Sequence, residues 1–376
     1  MKILMISNSF PDSLGSYRGI FIHRLSSELH RLGHSVIVLA PKIFRDVPSK
    51  EVLDGIMVNR FWYPSGNRPL GQSGKVPNLA MVVYMISGTI NAIKIILKQR
   101  PNIIHGHWIV PTGLIASVAG FITGLPVVNT AHGMDIRIAK KPFIGLLFNL
   151  AVRLSTRTTV VSEIMRSTTG LENSETIPFG VDNAFFALRG EKRGNIVIST
   201  RNLEPIYNID TLIKAIPYVT ASVTDARFII VGQGSMDTYL KKLAYEMGVS
   251  DRIEFKGRVQ NREIAFLMNL ARVYVSTSLM DGTSISLLEA MAAGLIPVVT
   301  DIDANRPWIT HEVDGYLFRP DKPEDLAASI VKALRGNINP SNLEEKRYRL
   351  ENMVTWDSVV KQFVRVYQNI IHQKRG

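Results

Sequence analysis

Runs of Val, Ile and Leu that are apolar without alternation, each closed by a glycine, a proline or a small polar residue, recur along this chain. They are Ile3–Ser7, Ser35–Ala40, Ile103–His105, Val127–Thr130 and Thr159–Ser162, then Ile196–Thr200, Arg227–Val231, Val273–Ser276 and Ile296–Thr300. A strand apolar on both sides must be covered on both sides. Strands of that kind separated by segments with helical spacing imply parallel sheets joined by crossover helices, an α/β architecture.

The runs fall into two groups, and 376 residues exceed one ordinary α/β core. Pro178-Phe179-Gly180-Val181-Asp182 and the charged stretch with Arg189, Glu191, Lys192 and Arg193 separate the groups and read as a hinge. The expected domains are residues 1–180 and 181–355. Residues 356–376 form a closing helix that crosses back onto the first domain, with Val359, Val360, Phe363, Val364, Tyr367, Ile370 and Ile371 at helical spacing. There is no cysteine, so disulfides and thiolate chemistry are excluded, in keeping with a reducing compartment. The short apolar run after Lys2 ends in Asn8, Pro11 and Asp12, which reads as a buried first strand rather than a secretory leader.

The formal net charge is +12, and residues 1–180 hold 19 Lys and Arg against 9 Asp and Glu, leaving 25 against 23 for the rest. A basic first half suits an anionic partner such as phospholipid headgroups or a phosphate-bearing acceptor, although a generally basic proteome gives the same excess. No nucleic-acid-binding motif or basic–aromatic interleaving appears. Residues Asn78 to Leu97 carry only Lys94 as a charge and approach the length of a membrane span. Ser87, Thr89 and Asn91 within it, and the place of the segment before a strand, favour a buried crossover helix. Lys140 and Lys141 ahead of Phe143-Ile144-Gly145-Leu146-Leu147-Phe148 fit either a peripheral membrane contact or a core helix with a basic start.

Candidate chemistry gathers just past strand ends, where doubly wound sheets bind ligands. The first strand runs into a loop with Gly15, Ser16 and Gly19, then a helix with Phe21, Leu25 and Leu29 on one face, an arrangement that brings backbone amides to an anion. His132-Gly133-Met134-Asp135 ends another strand. His105 and His107 share a strand face but lack an evident third metal ligand. Arg201 follows the first strand of the second group, where a planar guanidinium can hold phosphate. Gly232-Gln233-Gly234 after Val231 leaves room for a ligand. Asp281 precedes Gly282-Thr283-Ser284 at a helix start, and Glu289 lies eight residues on among Leu287, Leu288, Ala290 and Met291. Free amides there can bind diphosphate while carboxylates accept sugar hydroxyls. A cap at Asp281 and a solvated Glu289 are the plain alternative.

These motifs, with Gly33-His34-Ser35-Val36, His107-Trp108, Pro111-Thr112-Gly113 and Phe255-Lys256-Gly257-Arg258-Val259, resemble the retaining, family 4-like glycosyltransferases of the glycosyltransferase-B (GT-B) fold. The resemblance runs over nearly the whole chain. It implies two doubly wound Rossmann-like domains facing across a cleft, the first binding acceptor and the second a nucleotide-sugar. It implies that Glu289 binds the donor ribose, Asp281 the transferred sugar and Arg201 the diphosphate. Gly15 and Ser16 would approach the diphosphate, Arg258 and Val259 would border the base, and His132 would lie near the reacting sugar. Gly232, Gly282, Thr283 and Ser284 complete the donor site. Two positions depart from the family: Asp281 stands where Glu is usual, and Tyr207-Asn208 where a Lys-Gly pair is usual.

The expected activity is retaining transfer from a UDP- or GDP-sugar, without metal or cofactor, to an anionic or lipid-linked glycan acceptor. The expected setting is polysaccharide or glycolipid synthesis in the cytoplasm, at the inner face of the membrane. No covalent nucleophile stands out, so front-face substitution is expected, with the leaving diphosphate stabilised electrostatically. Asp301-Ile302-Asp303 reads as a turn after a strand rather than a metal motif. A nucleotide-sugar epimerase of the same fold, and a basic membrane-binding protein on an inactive scaffold, are the alternatives.

Overall fold

Ile3, Leu4, Met5 and Ile6 have no exposed surface, which strand β1 (Lys2–Ser7) achieves at the centre of an eight-stranded sheet covered on both faces. The structure is a computed structural model that describes residues 1–13, 16, 18–68, 78–133, 139, 141–168, 170–171, 173–188 and 194–373. The chain divides into two units, Met1–Phe179 with Trp356–Gly376, and Gly180–Thr355.

In the first unit the strands that follow are β2 (Ser35–Lys42), β3 (Lys50–Leu53), β4 (Ile56–Trp62), β5 (Ile103–His107), β6 (Val127–Ala131), β7 (Arg157–Val160) and β8 (Glu175–Thr176). Their order is β3-β4-β2-β1-β5-β6-β7-β8. All neighbours are parallel except β3 and β4, a hairpin turned by Asp54 and Gly55, both at positive φ. β1 pairs with β2 from Lys2↔Ser35 and with β5 from Ile3↔Ile103, so strand order reverses between β1 and β5. Helix α1 (Ile20–Arg31) buries Ile22, Leu25 and Leu29 on one face of the sheet. Helices α2 (Asn78–Gln99), α3 (Leu114–Thr123) and α4 (Pro142–Leu154) lie on the other.

α2 is a crossover helix but not the buried one expected. Ala80, Tyr84, Ala92 and Ile96 face the core, whereas Leu79, Val82, Ile86, Ile90 and Leu97 are exposed. The sequence is apolar all round, and only packing distinguishes its two sides.

The second unit is a six-stranded, wholly parallel sheet of β9 (Ile196–Ser199), β10 (Arg227–Val231), β11 (Ile253–Gly257), β12 (Val273–Ser276), β13 (Ile296–Thr300) and β14 (Tyr316–Phe318), ordered β11-β10-β9-β12-β13-β14. Helices α5 (Ile209–Ser222), α6 (Asp237–Glu246), α7 (Asn261–Leu270), α8 (Ile285–Ala292), α9 (Pro323–Leu334) and α10 (Pro340–Val354) cover it. α5, α6 and α9 close one face, and α7, α8 and α10 the other.

The last helix, α11 (Trp356–Gln373), returns to the first unit and seats Val359, Val360, Phe363, Val366, Tyr367 and Ile370 beside α1 on its sheet. The charged stretch assigned to the hinge, Arg189 and 191–193, lies outside the described residues. Asp182 accepts a hydrogen bond from the Ala184 N–H at the start of a short helical turn.

Candidate functional site

In the second unit, strand order reverses between β9 and β12, the position at which the carboxyl ends of a parallel sheet leave a crevice. Three loops meet there. Leu203 N–H donates to the Gln233 carbonyl, which ties the loop after β9 to the loop after β10. Leu279 N–H donates to the Ile206 carbonyl, which ties it to the loop after β12. Gly232 and Gly234 make these junctions close: a Cβ on Gly232 would stand 2.2 Å from the Arg201 carbonyl oxygen, and one on Gly234 2.1 Å from that of Leu203. At both glycines the direction a side chain would take is filled by neighbouring backbone, so each position requires glycine.

Arg201 lies at this reversal and is 8% exposed. Its Nη1 donates to Ser284 Oγ at 2.6 Å and its Nη2 to Asp281 Oδ2 at 2.5 Å. Its guanidinium carbon lies 4.4 Å from the centre of the Tyr207 ring, a cation–π stack. Nε is buried without a hydrogen-bond partner among the described residues. Burial opposes the charge most strongly, but Asp281, Tyr274 and Tyr207 together outweigh it and raise the Arg201 pKa, so the cation is permanent.

Ser284 is the N-cap of α8 and accepts from the Leu287 N–H. The expected cap at Asp281 is therefore filled three residues later, and Asp281 serves Arg201 and accepts from the Gly282 N–H at 2.9 Å. Thr283 is buried, its hydroxyl donating to the Gly282 carbonyl. Glu289 sits inside α8 and is buried, not solvated. Its carboxyl is pushed up to about 8, first by burial and then by the negative charge of Asp182, with Arg201 pulling it down. A permanent cation and an acid paired with it thus stand at the start of α8, with a second acid, its carboxyl pKa raised, inside the helix, a setting for an anion carrying hydroxyls.

The first unit has its own cluster beyond the strand ends. His132, just after β6, lies among the rings of Phe21, Trp108 and Phe179, with centroids 4.8 to 5.6 Å away. Its Nε2 is 3.1 Å from His107 Nδ1. His105 is bonded through Nδ1 to the Tyr367 hydroxyl of α11 at 2.6 Å and through Nε2 to Thr130 Oγ1 at 2.7 Å. Burial lowers the pKa of His105 and of His132 to about 3 and holds His107 well below the usual value, so all three rings are neutral. Among the described residues no three side chains group as a metal site.

Residues 181–350 match the family described as "Glycosyl transferases group 1", and residues 19–185 match "Glycosyltransferase Family 4". The chain is 25% identical over 385 residues to a subunit of the phosphatidylinositol N-acetylglucosaminyltransferase of Arabidopsis thaliana, covering 99% of this chain and 82% of the relative. Its fold superposes on sucrose-phosphate synthase from Thermosynechococcus elongatus with a TM-score of 0.76 at 16% identity, covering 99% and 100% of the two chains. An Anabaena protein, HepE, solved with UDP and glucose, gives a TM-score of 0.72 at 15% identity over 98% and 100%. The chain is a family 4-like glycosyltransferase of the GT-B fold.

The Tyr207-Asn208 departure of this glycosyltransferase now has a physical setting. Asn208 adopts the left-handed conformation, φ 52, at the start of α5, a conformation that glycine takes freely and asparagine tolerates. Its amide also donates to Asp321 Oδ1 at 2.8 Å. Tyr207 supplies a ring face to Arg201 instead of a second positive charge.

Of the other expected donor residues in this glycosyltransferase, Ser16 donates its N–H to the Ser13 carbonyl, Arg258 is exposed just past β11, and Val259 packs on the core beneath α7 and α8. Gly15, Met134, Asp135 and Lys140 lie outside the described residues. Asp301 and Asp303 both bind Arg306, as a turn on the surface. Sequence reasoning missed the Tyr207 stack and the Tyr367–His105 bond. Tyr207 was marked only as a departure from the family pattern, and the second contact joins residues 262 positions apart.

Proposed function

We propose that this glycosyltransferase moves a sugar, with retention of configuration, from a UDP- or GDP-sugar to a lipid-linked or other anionic glycan acceptor. The observation that carries the reading is Arg201, a buried permanent cation fixed by Asp281 and the α8 cap at the reversal of strand order. Breaking the anomeric bond leaves positive charge on the sugar ring and negative charge on the departing diphosphate. Arg201 and the free amides at the start of α8 meet that negative charge, with protein groups rather than a metal ion in this role. The acceptor hydroxyl attacks from the face the diphosphate leaves, and its proton passes to a diphosphate oxygen. Asp281 and Glu289 accept hydrogen bonds from donor hydroxyls, and Arg258 and Val259 border the base. The neutral His132 ring stands on the acceptor side and can accept or donate a hydrogen bond without adding charge.

The UDP bound by HepE and the phosphatidylinositol in the name of the plant relative support the nucleotide and lipid sides of this reading. The setting that suits both is the cytoplasmic face of a membrane, in glycolipid or surface polysaccharide synthesis. A thermal-shift panel of UDP, GDP and their sugars tests the donor side, since a ligand bound by the folded state raises its melting temperature. One nucleoside diphosphate should stabilise the protein, and its sugar further. No shift from any of them would contradict the reading. The anomeric configuration of the first product, read by NMR, tests retention.

A further inference from the structure

We infer that the outer surface of α2, α3 and α4 lies on an anionic lipid bilayer. On α2 the exposed positions Leu79, Val82, Ile86 and Ile90 follow helical spacing, so the outward stripe is as apolar as the inward one. On α4 the exposed stripe is Phe143, Leu146 and Leu150. Between them, α3 exposes Phe121 and Ile122 at its end. α2 neighbours α3 and α3 neighbours α4 on one face of the sheet, so the stripes belong to one surface. Scattered exposed apolar residues are ordinary, but a contiguous surface marks a partner.

Charge selects the partner. Between Asp54 and Glu163 the chain has eleven Lys and Arg and one acid, Asp135, and the three helices contain no acid at all. The apolar stripe of α2 continues into Lys94 and Lys98, and that of α4 runs from Lys141 to Arg153. Apolar side chains flanked by cations, with no anion to repel headgroups, match the interface of an anionic membrane. Lysine and arginine stems can lie along the apolar surface with their charges at phosphate level. α2 lies on the bilayer and does not cross it: its inner face is core, and the Tyr84 hydroxyl donates to Asn8 Oδ1 at 3.0 Å.

The surface extends the lipid side of the proposed function but rests on exposure and charge alone, and nucleotide binding measured on the same samples separates the two. The experiment is flotation of the full-length protein with phosphatidylcholine vesicles, with and without phosphatidylglycerol, at low and high salt. The protein should float with the anionic vesicles and be released by salt. Replacing Val82, Ile86 and Ile90 together by Gln should weaken partitioning at least about tenfold. Replacing Lys94, Lys98 and Lys141 by Gln should cost about fivefold for each cation. Both variants should keep the parent's melting temperature and its stabilisation by nucleoside diphosphate, since the positions are exposed. Failure of the parent to bind anionic vesicles, or binding unchanged in the Val82/Ile86/Ile90 variant, would overturn the inference. So would self-association through this face without vesicle binding, detected by sedimentation, because the occupant would then be a second copy.

Discussion

Arg201 donates to Asp281 across 80 positions of sequence, from the end of the second unit's first strand to the loop before α8, at 2.5 Å. The acid assigned to the transferred sugar is therefore also the counter-ion of the cation assigned to the diphosphate. Asp281→Asn removes the competing anion and keeps a hydrogen-bond acceptor beside Arg201. Binding of the bare nucleoside diphosphate should tighten roughly fivefold, while sugar transfer falls. Calorimetry and a transfer assay on the same sample check the two opposite signs.

Tyr207 contacts Arg201 through its ring face, so its hydroxyl is dispensable for that contact and its aromaticity is not. Tyr207→Phe should leave diphosphate affinity within about twofold, and Tyr207→Leu should weaken it, since a cation–π contact at a desolvated site contributes about 1–2 kcal/mol. Tyr207→Lys puts a second cation beside the first. It should lower the melting temperature without ligand and make diphosphate binding tighter and more sensitive to salt.

Glu289 gives a pH signature. Its folded pKa, about 8, lies above its ordinary value of 4.5, so the group's contribution to stability is greatest below 4.5 and is lost as pH rises through 8. Glu289→Gln cannot ionise. It should raise the melting temperature relative to the parent at pH 9 and change it little at pH 5, while weakening nucleotide-sugar binding. A parent and a variant with parallel pH profiles would contradict the assignment.

The histidines act in the other direction. His105 and His132 have folded pKa values near 3 against 6.5 for the free ring, so their contribution is complete above about pH 6.5 and lost as pH falls toward 3. Stability should decline steeply with acid below pH 6.5. His105→Asn should flatten that slope while lowering the melting temperature at pH 7.5, because it also removes the bond to Tyr367 that ties down α11. Urea melts across this range measure both.

The α/β fold was legible because continuous apolar strands leave few ways to be covered, whereas the GT-B assignment came from the resemblance carried by the motifs. Arg201 and Asp281 were legible as a cation past a strand and an acid before a helix, but not as partners, because the approach depends on loops joined through Gly232 and Gly234. The exposed side of α2 was not legible because its composition is apolar on both sides, and periodicity cannot say which of two apolar faces meets the core. The neutrality of His105 was hidden for a similar reason: it comes from burial against Phe363 and Tyr367 of a helix contributed by the far end of the chain.

The most direct test is calorimetric binding of UDP and GDP to the parent and to Arg201→Ala, with Arg201→Lys as a variant that keeps the charge. One of the two nucleotides should bind the parent. Its affinity should fall by about 30-fold or more in Arg201→Ala, the cost of removing one partner from a buried charge-assisted contact, with partial recovery in Arg201→Lys. Equal affinity in all three folded proteins would place the diphosphate elsewhere and contradict the account.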